Sequence, residues 1–280
     1  MSAPQTDVLS IKEIAIDDSE DLGAIAFVTI DRPDKLNALN AEVMSSLKDM
    51  VDWVEQTDSI RVVVITGAQP NEPEQGKRAK PNAFVAGADI TEFVGKKSDD
   101  IRKMFADNAV EALWNISKPT IAMVDGFALG GGCEVACSCD LRIASNRSRF
   151  GTPEINLGLI PGYGATQRLV NLLGYGKTME MVMTGEMIDS TDALKWGLVN
   201  HVVEPEQLFD FTMNLAKIIG SKSTHTLKVA KKTIRAALST GLEQGVAIEA
   251  EAFASLFDSE DKEIGVAAFI GRHQAKWQHK

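Results

Sequence analysis

The feature that most constrains this fold is a repeated alternation between short apolar runs and longer amphipathic segments. The runs at 25–30, 61–66 and 120–124 are rich in β-branched residues, and each is followed by turn-forming residues. Segments with helical spacing lie between them, and the first of these follows Asn40, a residue suited to a helix N-cap. Strands that alternate with helices at this interval predict βαβ units, hence an α/β fold with a largely parallel sheet.

The pattern becomes helical after about residue 162. Its periodicity predicts helices over 165–173, 177–184, 191–196, 206–219, 224–237 and 241–257, followed by a short helix and a tail. We therefore predict an α/β core over residues 1–200 and a helical C-terminal region over residues 201–280. Lys228, Lys231, Lys232 and Arg235 fall on one of these helices and predict a solvated basic face.

Charge and cysteine usage restrict the partners and the compartment. With 39 acidic and 29 basic residues, the formal net charge of -10 opposes binding to nucleic acid or to an anionic membrane. Cys133, Cys137 and Cys139 crowd into one short segment, unlike a secreted disulfide framework, which favours a reducing compartment. The N-terminus resembles neither a secretory signal nor a transit peptide, and the apolar stretches are too short to span a bilayer. We therefore expect a cytoplasmic globular protein.

Residues 125–134 (DGFALGGGCE) place a glycine-rich turn between a predicted strand and a predicted helix. Such a turn exposes backbone N–H groups at a helix N-terminus, where an anion or a developing oxyanion is stabilised. The segment lacks the Gly-Lys-Ser/Thr of a phosphate loop and the spacing of the dinucleotide fingerprint. Consecutive glycines also occur in tight packing turns, so this segment alone leaves both interpretations open.

Two glutamates follow at positions that suit proton transfer. Glu134 falls in the first turn of the predicted helix, where it could also merely complement the helix dipole. Glu154 lies in an apolar, turn-like segment, where burial would raise its pKa. Two neighbouring carboxyl groups allow one to remove a proton while the other supplies one. A structural ion pair is the alternative for either residue.

A second glycine site, residues 86–89 (AGAD), follows a predicted strand and could expose the N–H of Ala88. If this N–H and those of the first glycine turn converged on one carbonyl oxygen, they would form an oxyanion hole.

Taken together, these segments resemble the crotonase superfamily, and most closely the enoyl-CoA hydratases. The likeness runs in order along nearly the whole chain, through residues 31–39 (DRPDKLNAL), 84–90 (FVAGADI), 128–134 (ALGGGCE), 150–155 (FGTPEI), 158–162 (GLIPG), 166–169 (TQRL) and 193–199 (ALKWGLV). The resemblance implies a spiral of ββα units and a C-terminal region that builds a trimer, two of which commonly stack into a hexamer. It also implies a place in fatty acid metabolism, in β-oxidation.

The resemblance further implies an acyl-CoA substrate, with coenzyme A as part of the substrate, no separate cofactor and no metal. Glu134 and Glu154 correspond to the two catalytic glutamates, and the N–H groups of Ala88 and Gly131 correspond to the oxyanion hole. Phe269 and Arg272 would reach the coenzyme from a neighbouring subunit. The full set of positions that match substrate or coenzyme contacts is Lys35, Asn37, Ala38, Leu39, Ala86, Asp89, Ile90, Thr91, Phe269 and Arg272.

The resulting hypothesis is the reversible addition of water to the double bond of a 2-enoyl-CoA thioester. An enoyl-CoA isomerase or another acyl-CoA lyase is the alternative within the superfamily. Isomerases generally use one glutamate at the second position, so Glu134 favours hydration. A non-catalytic module that binds acyl-CoA or RNA is the alternative outside enzymes, and the paired glutamates and acidic charge argue against it.

Three features depart from the family pattern. The loop over residues 67–82 is longer than usual, Thr91 stands where a lysine often meets the coenzyme phosphates, and Tyr163 replaces a small residue. Tyr163 would either narrow the acyl pocket or serve packing.

Overall fold

The computed structural model describes residues 2–17, 22–73 and 79–280. Its strands and α-helices are, in chain order, β1 (Leu9–Ala15), β2 (Ala24–Ile30), α1 (Ala41–Gln56), β3 (Ile60–Gly67), β4 (Ala83–Val85), α2 (Ser98–Ala106), α3 (Ala109–Asn115), β5 (Thr120–Val124), β6 (Phe127–Leu129), α4 (Gly131–Ser138), β7 (Leu141–Ser145), β8 (Arg149–Gly151), α5 (Ala165–Leu173), α6 (Tyr175–Thr184), β9 (Ile188–Asp189), α7 (Ser190–Lys195), β10 (His201–Val203), α8 (Leu208–Gly220), α9 (Thr224–Ala236), α10 (Leu242–Ser255) and α11 (Glu260–Gly271).

The strands form two sheets. The larger has the order β1-β2-β3-β5-β7-β10, and every neighbouring pair from β2 onward is parallel. The smaller has the order β4-β6-β8-β9 and is parallel from β4 to β8. The edge pairs β1–β2 and β8–β9 are antiparallel. The predicted α/β fold with a largely parallel sheet is therefore confirmed.

Strand β3 explains why the larger sheet needs cover on both faces. Its side chains alternate, so that Val63 and Ile65 enter one core while Val62 and Val64 enter the other. All four are fully buried, and burying a side chain of this size contributes about 1.5–3 kcal/mol. Helix α1 supplies side chains to the first core and helix α8 to the second.

The first elements beyond residue 200 belong to the sheet assembly. Strand β10 pairs with β7, and α8 packs on β3 and β5. Helices α9 and α10 lie further out, and Leu242 on α10 is 86% exposed. The domain boundary at residue 200 stays a prediction.

Helix α9 docks through charged groups. The ammonium of Lys231 and the guanidinium of Arg235 each lie 2.7 Å from a carboxylate oxygen of Asp140. The prediction of a solvated basic face was therefore wrong for these two residues, because the sequence does not reveal that Asp140 lies beneath α9.

Two other predictions differ from the structure. The helical spacing of residues 98–115 predicts one helix, but this segment forms two, α2 and α3, because Asn108 begins a new helix by accepting hydrogen bonds from the N–H groups of Val110 and Glu111. The short helix expected after residue 258 is the twelve-residue α11. The described part of the predicted loop 67–82 forms no helix and has strand only at its first residue, Gly67; residues 74–78 lie outside the described residues. Within the described ranges, no helix has the length and apolar composition needed to cross a bilayer.

Candidate active site

The site begins at the glycine turn between β6 and α4. Gly130 adopts φ 51° and ψ −123°, a conformation closed to residues with a Cβ. A Cβ on Gly132 would overlap the carbonyl oxygen of Val85, so only glycine lets α4 approach β4 this closely. These two requirements place the N-terminus of α4 directly beside the segment that follows β4.

Two backbone N–H groups converge where these segments meet. Gly131 is the first residue of α4, so its N–H has no acceptor within the helix. Leu39 pairs with the chain around Ala88 through two hydrogen bonds, one to the carbonyl of Gly87 and one from the N–H of Asp89. In a parallel bridge of this kind the N–H of the middle residue, Ala88, points away from Leu39. The N atom of Ala88 lies 3.8 Å from the position that a Cβ on Gly131 would occupy. In the part of the chain that the structure describes, neither N–H donates a hydrogen bond, so both can bind a substrate oxygen.

Glu134 lies in the first turn of α4 and is 1% exposed. Its Oε1 accepts hydrogen bonds from the N–H groups of Tyr163 and Ala165, at 2.6 and 3.0 Å. The pKa of Glu134 is raised to about 7, mainly by burial and also by the nearby charge of Glu154, against the opposing effect of the two N–H donors. The carboxyl group is therefore poised to gain or lose a proton near neutral pH.

Glu154 lies in a 3-10 helix, Pro153–Leu157. Its Oε1 lies 2.9 Å from the position that a Cβ on Gly130 would take, so the glycine turn also makes room for this carboxyl group. Its Oε2 is buried and has no hydrogen-bond partner among the described residues. Burial raises the pKa of Glu154 as well. An unsatisfied acceptor of this kind can be satisfied by a proton or by a bound molecule.

The four groups line one cavity of about 680 Å³, to which Ala88, Gly131, Glu134 and Glu154 all contribute. The other lining residues are mainly small or apolar, namely Ala86, Gly87, Ile90, Phe93, Lys96, Ile101, Met104, Phe105, Gly130, Pro153, Leu157, Leu159, Ile160, Pro161, Gly162 and Tyr163. A few polar groups in an apolar cleft are typical of a small-molecule site. The arrangement can hold a carbonyl oxygen between two N–H groups beside two carboxyl groups.

The burial of Glu134 makes the stability of the protein depend on pH. The folded pKa of about 7 lies above the ordinary value of 4.5, so the unfolded chain ionises first as the pH rises. Below pH 4.5 Glu134 is protonated in both states, so its titration does not lower the free energy of unfolding of the wild type relative to Glu134→Gln. Between pH 4.5 and 7 the unfolded chain ionises while the folded protein does not, so the wild type progressively loses stability. We expect the glutamine variant to be more stable by on the order of 2–3 kcal/mol at pH 8, and much less so at pH 5. Urea denaturation at both pH values checks this; an equal difference at the two would contradict it.

The other predicted contact residues occupy several environments. Ala86 and Ile90 line the cavity. Asn37 is buried, and its side-chain amide donates to the carbonyls of Ala68 and Ala83, so this side chain shapes the loop. Asp89 forms an ion pair with Arg32 at 3.1 Å.

Thr91 donates its hydroxyl to Asp89, at 2.7 Å. The buried Leu39 side chain lies against Gly131, and the carbonyl of Ala38 accepts a hydrogen bond from Arg32. The side chains of Lys35, Phe269 and Arg272 are exposed, and their ligand contacts stay predictions.

Sequence reasoning missed three contributors to the site. The N–H donors from Tyr163 and Ala165 were not predicted, because a backbone contact between distant segments leaves no residue-type signal. Lys96 was also missed, although it places a cation in the cavity lining. Its signal, a lysine between a strand and a helix, is too common to single out.

The fold and the cavity define an α/β enzyme with two carboxyl groups and two free N–H groups at one site, and comparison with known proteins agrees. The family model described as enoyl-CoA hydratase/isomerase matches residues 20–280. The short-chain-enoyl-CoA hydratase of Clostridium acetobutylicum is 39% identical over 254 residues, covering 90% of this chain and 93% of the relative. The crotonyl-CoA hydratase of Syntrophomonas wolfei is 35% identical over 258 residues, covering 91% and 95%.

Solved structures show the same fold. The crystal structure of an enoyl-CoA hydratase from Bacillus anthracis superposes with a TM-score of 0.85 at 28% identity, covering 98% of this chain and all of the other. The chain belongs to the enoyl-CoA hydratase/isomerase family. The predictions of the crotonase fold and of an enzyme of the hydro-lyase class are confirmed.

Proposed function

We propose that this protein catalyses the reversible addition of water to the double bond of a 2-enoyl-CoA. The observation that carries the proposal is the presence in one cavity of two free N–H groups, the buried Glu134 and the half-buried Glu154. A single glutamate would suffice to move a proton along a substrate, whereas hydration needs one group to activate water and another to protonate carbon. The family and the names of the relatives support the same reaction.

The thioester oxygen would bind to the N–H groups of Ala88 and Gly131, which withdraw electron density and make C3 of the acyl chain electrophilic. One glutamate, as carboxylate, takes a proton from water as the hydroxyl group adds to C3. The other, as carboxylic acid, gives its proton to C2, and the enolate charge rests between the two N–H groups meanwhile. Losing one such N–H donor typically raises the activation barrier by about 2.7–4 kcal/mol, so this oxyanion hole would contribute a major part of the rate enhancement.

The two carboxyl groups would work as a pair that holds one proton. Burial raises the pKa of both groups, and the charge of Glu154 further opposes ionisation of Glu134, so the second ionisation of the pair is displaced toward neutral pH. After each turnover the pair still holds one proton, now on the opposite partner. Activity is therefore expected to need the singly protonated pair.

The substrate is proposed to be a short 2-enoyl-CoA, as the names of two relatives suggest. Lys96 at the cavity would provide a cation for an anionic part of the coenzyme, where Thr91 replaces the lysine common in the family. Buried free thiols at Cys133, Cys137 and Cys139 support a reducing, cytoplasmic setting.

The C-terminal helices are proposed to build a trimer or a hexamer. Helices α10 and α11 and the 3-10 turn between them, Leu256–Asp258, expose large apolar side chains that a second copy could cover, among them Leu242, Phe253, Phe257, Phe269 and Ile270. Phe269 and Arg272 would then lie on the surface that meets a neighbouring subunit, where they could reach its coenzyme.

A panel of straight and branched 2-enoyl-CoA thioesters, from four carbons upward, tests the reaction. We expect loss of enoyl absorbance and formation of the 3-hydroxyacyl-CoA, fastest with short chains. A 3-enoyl-CoA offered in parallel distinguishes the isomerase, because isomerisation would produce the 2-enoyl compound without taking up water. Salt-dependent retention of RNA with no turnover of any thioester would overturn the proposal.

A further inference from the structure

The turn that holds Glu134 is itself held by Arg168. Nη1 of Arg168 donates to the carbonyl of Tyr163 at 2.6 Å, within the turn whose N–H groups bind the Glu134 carboxylate. Gly164, at φ 102°, completes the turn, and a Cβ there would overlap the guanidinium of Arg168. The guanidinium therefore occupies the space that the missing side chain leaves, and it fixes the direction of both donors.

Arg168 is in turn confined by two further contacts. Its Nη2 lies 2.6 Å from a carboxylate oxygen of Glu111, and its guanidinium carbon lies 4.6 Å from the centre of the Trp114 ring. Its side chain is only 10% exposed. The planar guanidinium suits this combination of a carboxylate, a carbonyl and a ring face, which an ammonium group would not match.

The same ring carries a second guanidinium from helix α9. The guanidinium carbon of Arg235 lies 3.9 Å from the centre of the Trp114 ring, and the group also donates to the Trp114 carbonyl and to Asp140. Each of the two cations has its own carboxylate partner, Glu111 for Arg168 and Asp140 for Arg235, so both can share one aromatic ring. A continuous series of contacts thus runs from α9 to the donors of Glu134.

We propose that Arg168 is a positioning residue for Glu134 and that helix α9 acts on it through Arg235 and Trp114. The kinetic part of this inference rests on the proposed function. A carboxylate whose two N–H donors shift by a fraction of an ångström points differently at the reacting atoms, and small misplacements of this kind are costly. Since α9 belongs to the outer helices, its docking would tune the site from outside the core.

Lys231 provides a matched control on the same helix. It pairs with Asp140 at 2.7 Å, as Arg235 does, and its ammonium donates to the carbonyl of Lys118 at 2.7 Å. Its contacts lead into the core beside β5 and do not include the Trp114 ring in the described structure. Replacing either cation removes an ion pair with the same carboxylate, whereas only Arg235 touches the ring.

The kinetic test compares Arg235→Met with Lys231→Met and adds Arg168→Lys. We expect Arg235→Met to lower kcat by about 3- to 10-fold with little change in KM, and Lys231→Met to change kcat less than about 2-fold at a similar loss of Tm. Arg168→Lys keeps the charge but loses the planar contacts, and we expect kcat to fall by up to about 100-fold. Equal kinetic effects of the two methionine variants, or an unaltered Arg168→Lys enzyme, would overturn the proposal.

A second measurement needs no activity and separates this proposal from the hydratase assignment. The difference in stability between Glu134 and Glu134→Gln proteins, followed against pH, reports the titration of Glu134. Weaker N–H donors should raise the pKa of Glu134, so the transition in this difference should move to higher pH in Arg168→Lys and Arg235→Met but not in Lys231→Met. An unmoved transition in the first two would contradict the positioning role, even if hydration is observed. Absence of hydration in the wild type would contradict only the proposed function.

Discussion

Replacing Glu134 with glutamine is expected to lower kcat for enoyl-CoA hydration by about 10²- to 10⁴-fold while leaving affinity for the coenzyme largely unchanged. Glutamine keeps the size of the side chain, and its carbonyl oxygen can still accept from the N–H groups of Tyr163 and Ala165. The variant therefore preserves the shape of the cavity and removes only the group that exchanges protons. Steady-state hydration kinetics and calorimetric titration with a non-reactive acyl-CoA measure the two effects separately.

The control for this substitution is Glu13→Gln, the same change at an exposed position on β1. We expect it to leave kcat and coenzyme binding unaltered. If Glu134→Gln retained hydration and lost only isomerisation of a 3-enoyl-CoA, the assignment of Glu134 to water addition would be wrong. A parallel loss of coenzyme affinity would instead indicate that the substitution had disturbed the cavity.

Substituting Gly132 with alanine should be the most damaging single methyl addition in the site. The new Cβ would overlap the carbonyl oxygen of Val85, a backbone atom of a buried strand that cannot rotate away. Either α4 must move off β4, carrying Gly131 and Glu134 with it, or the strand must shift. We expect a loss of about 3 kcal/mol or more in the free energy of unfolding, together with loss of hydration, measured by urea denaturation and steady-state kinetics.

Gly176→Ala is the matched control, because Gly176 also lies near a helix N-terminus, in α6, and a Cβ there meets no atom within 4 Å. Alanine at this position should be neutral or stabilising by about 0.5–1 kcal/mol, since it reduces the freedom of the unfolded chain. Equal stability of the two variants would show that α4 and β4 can separate at little cost.

The central strands and the site segments could be predicted from sequence because their signals are local. The run that forms β3 is apolar on both faces, and Asn40 caps α1 by accepting from the N–H of Val43. Strand β1 could not be predicted, because it combines buried Leu9 and Ile11 with exposed charged residues and so lacks the continuous apolar run that marks β2, β3 and β5. Strands β6 and β8 have three residues each, too few for any periodicity to be read.

The candidate site shows the same division. Glu134, Glu154 and the glycine turns stand out as residue types in a familiar order, so the sequence predicted them. Their supports did not stand out, because Arg168 acts through a backbone carbonyl and Arg235 reaches it only through the folded position of Trp114. Contacts of this kind depend on tertiary structure and have no characteristic spacing along the chain.

The buried Oε2 of Glu154 accepts no hydrogen bond from the described protein groups. The protein therefore leaves this oxygen available to a molecule in the cavity and does not bind it in a structural hydrogen bond. In the proposed reaction, a water molecule that donates to Oε2 would be held beside the substrate, with its own oxygen free to add to C3. A neighbouring side chain that donated a hydrogen bond to this oxygen would then raise the stability of the protein and lower the rate of hydration.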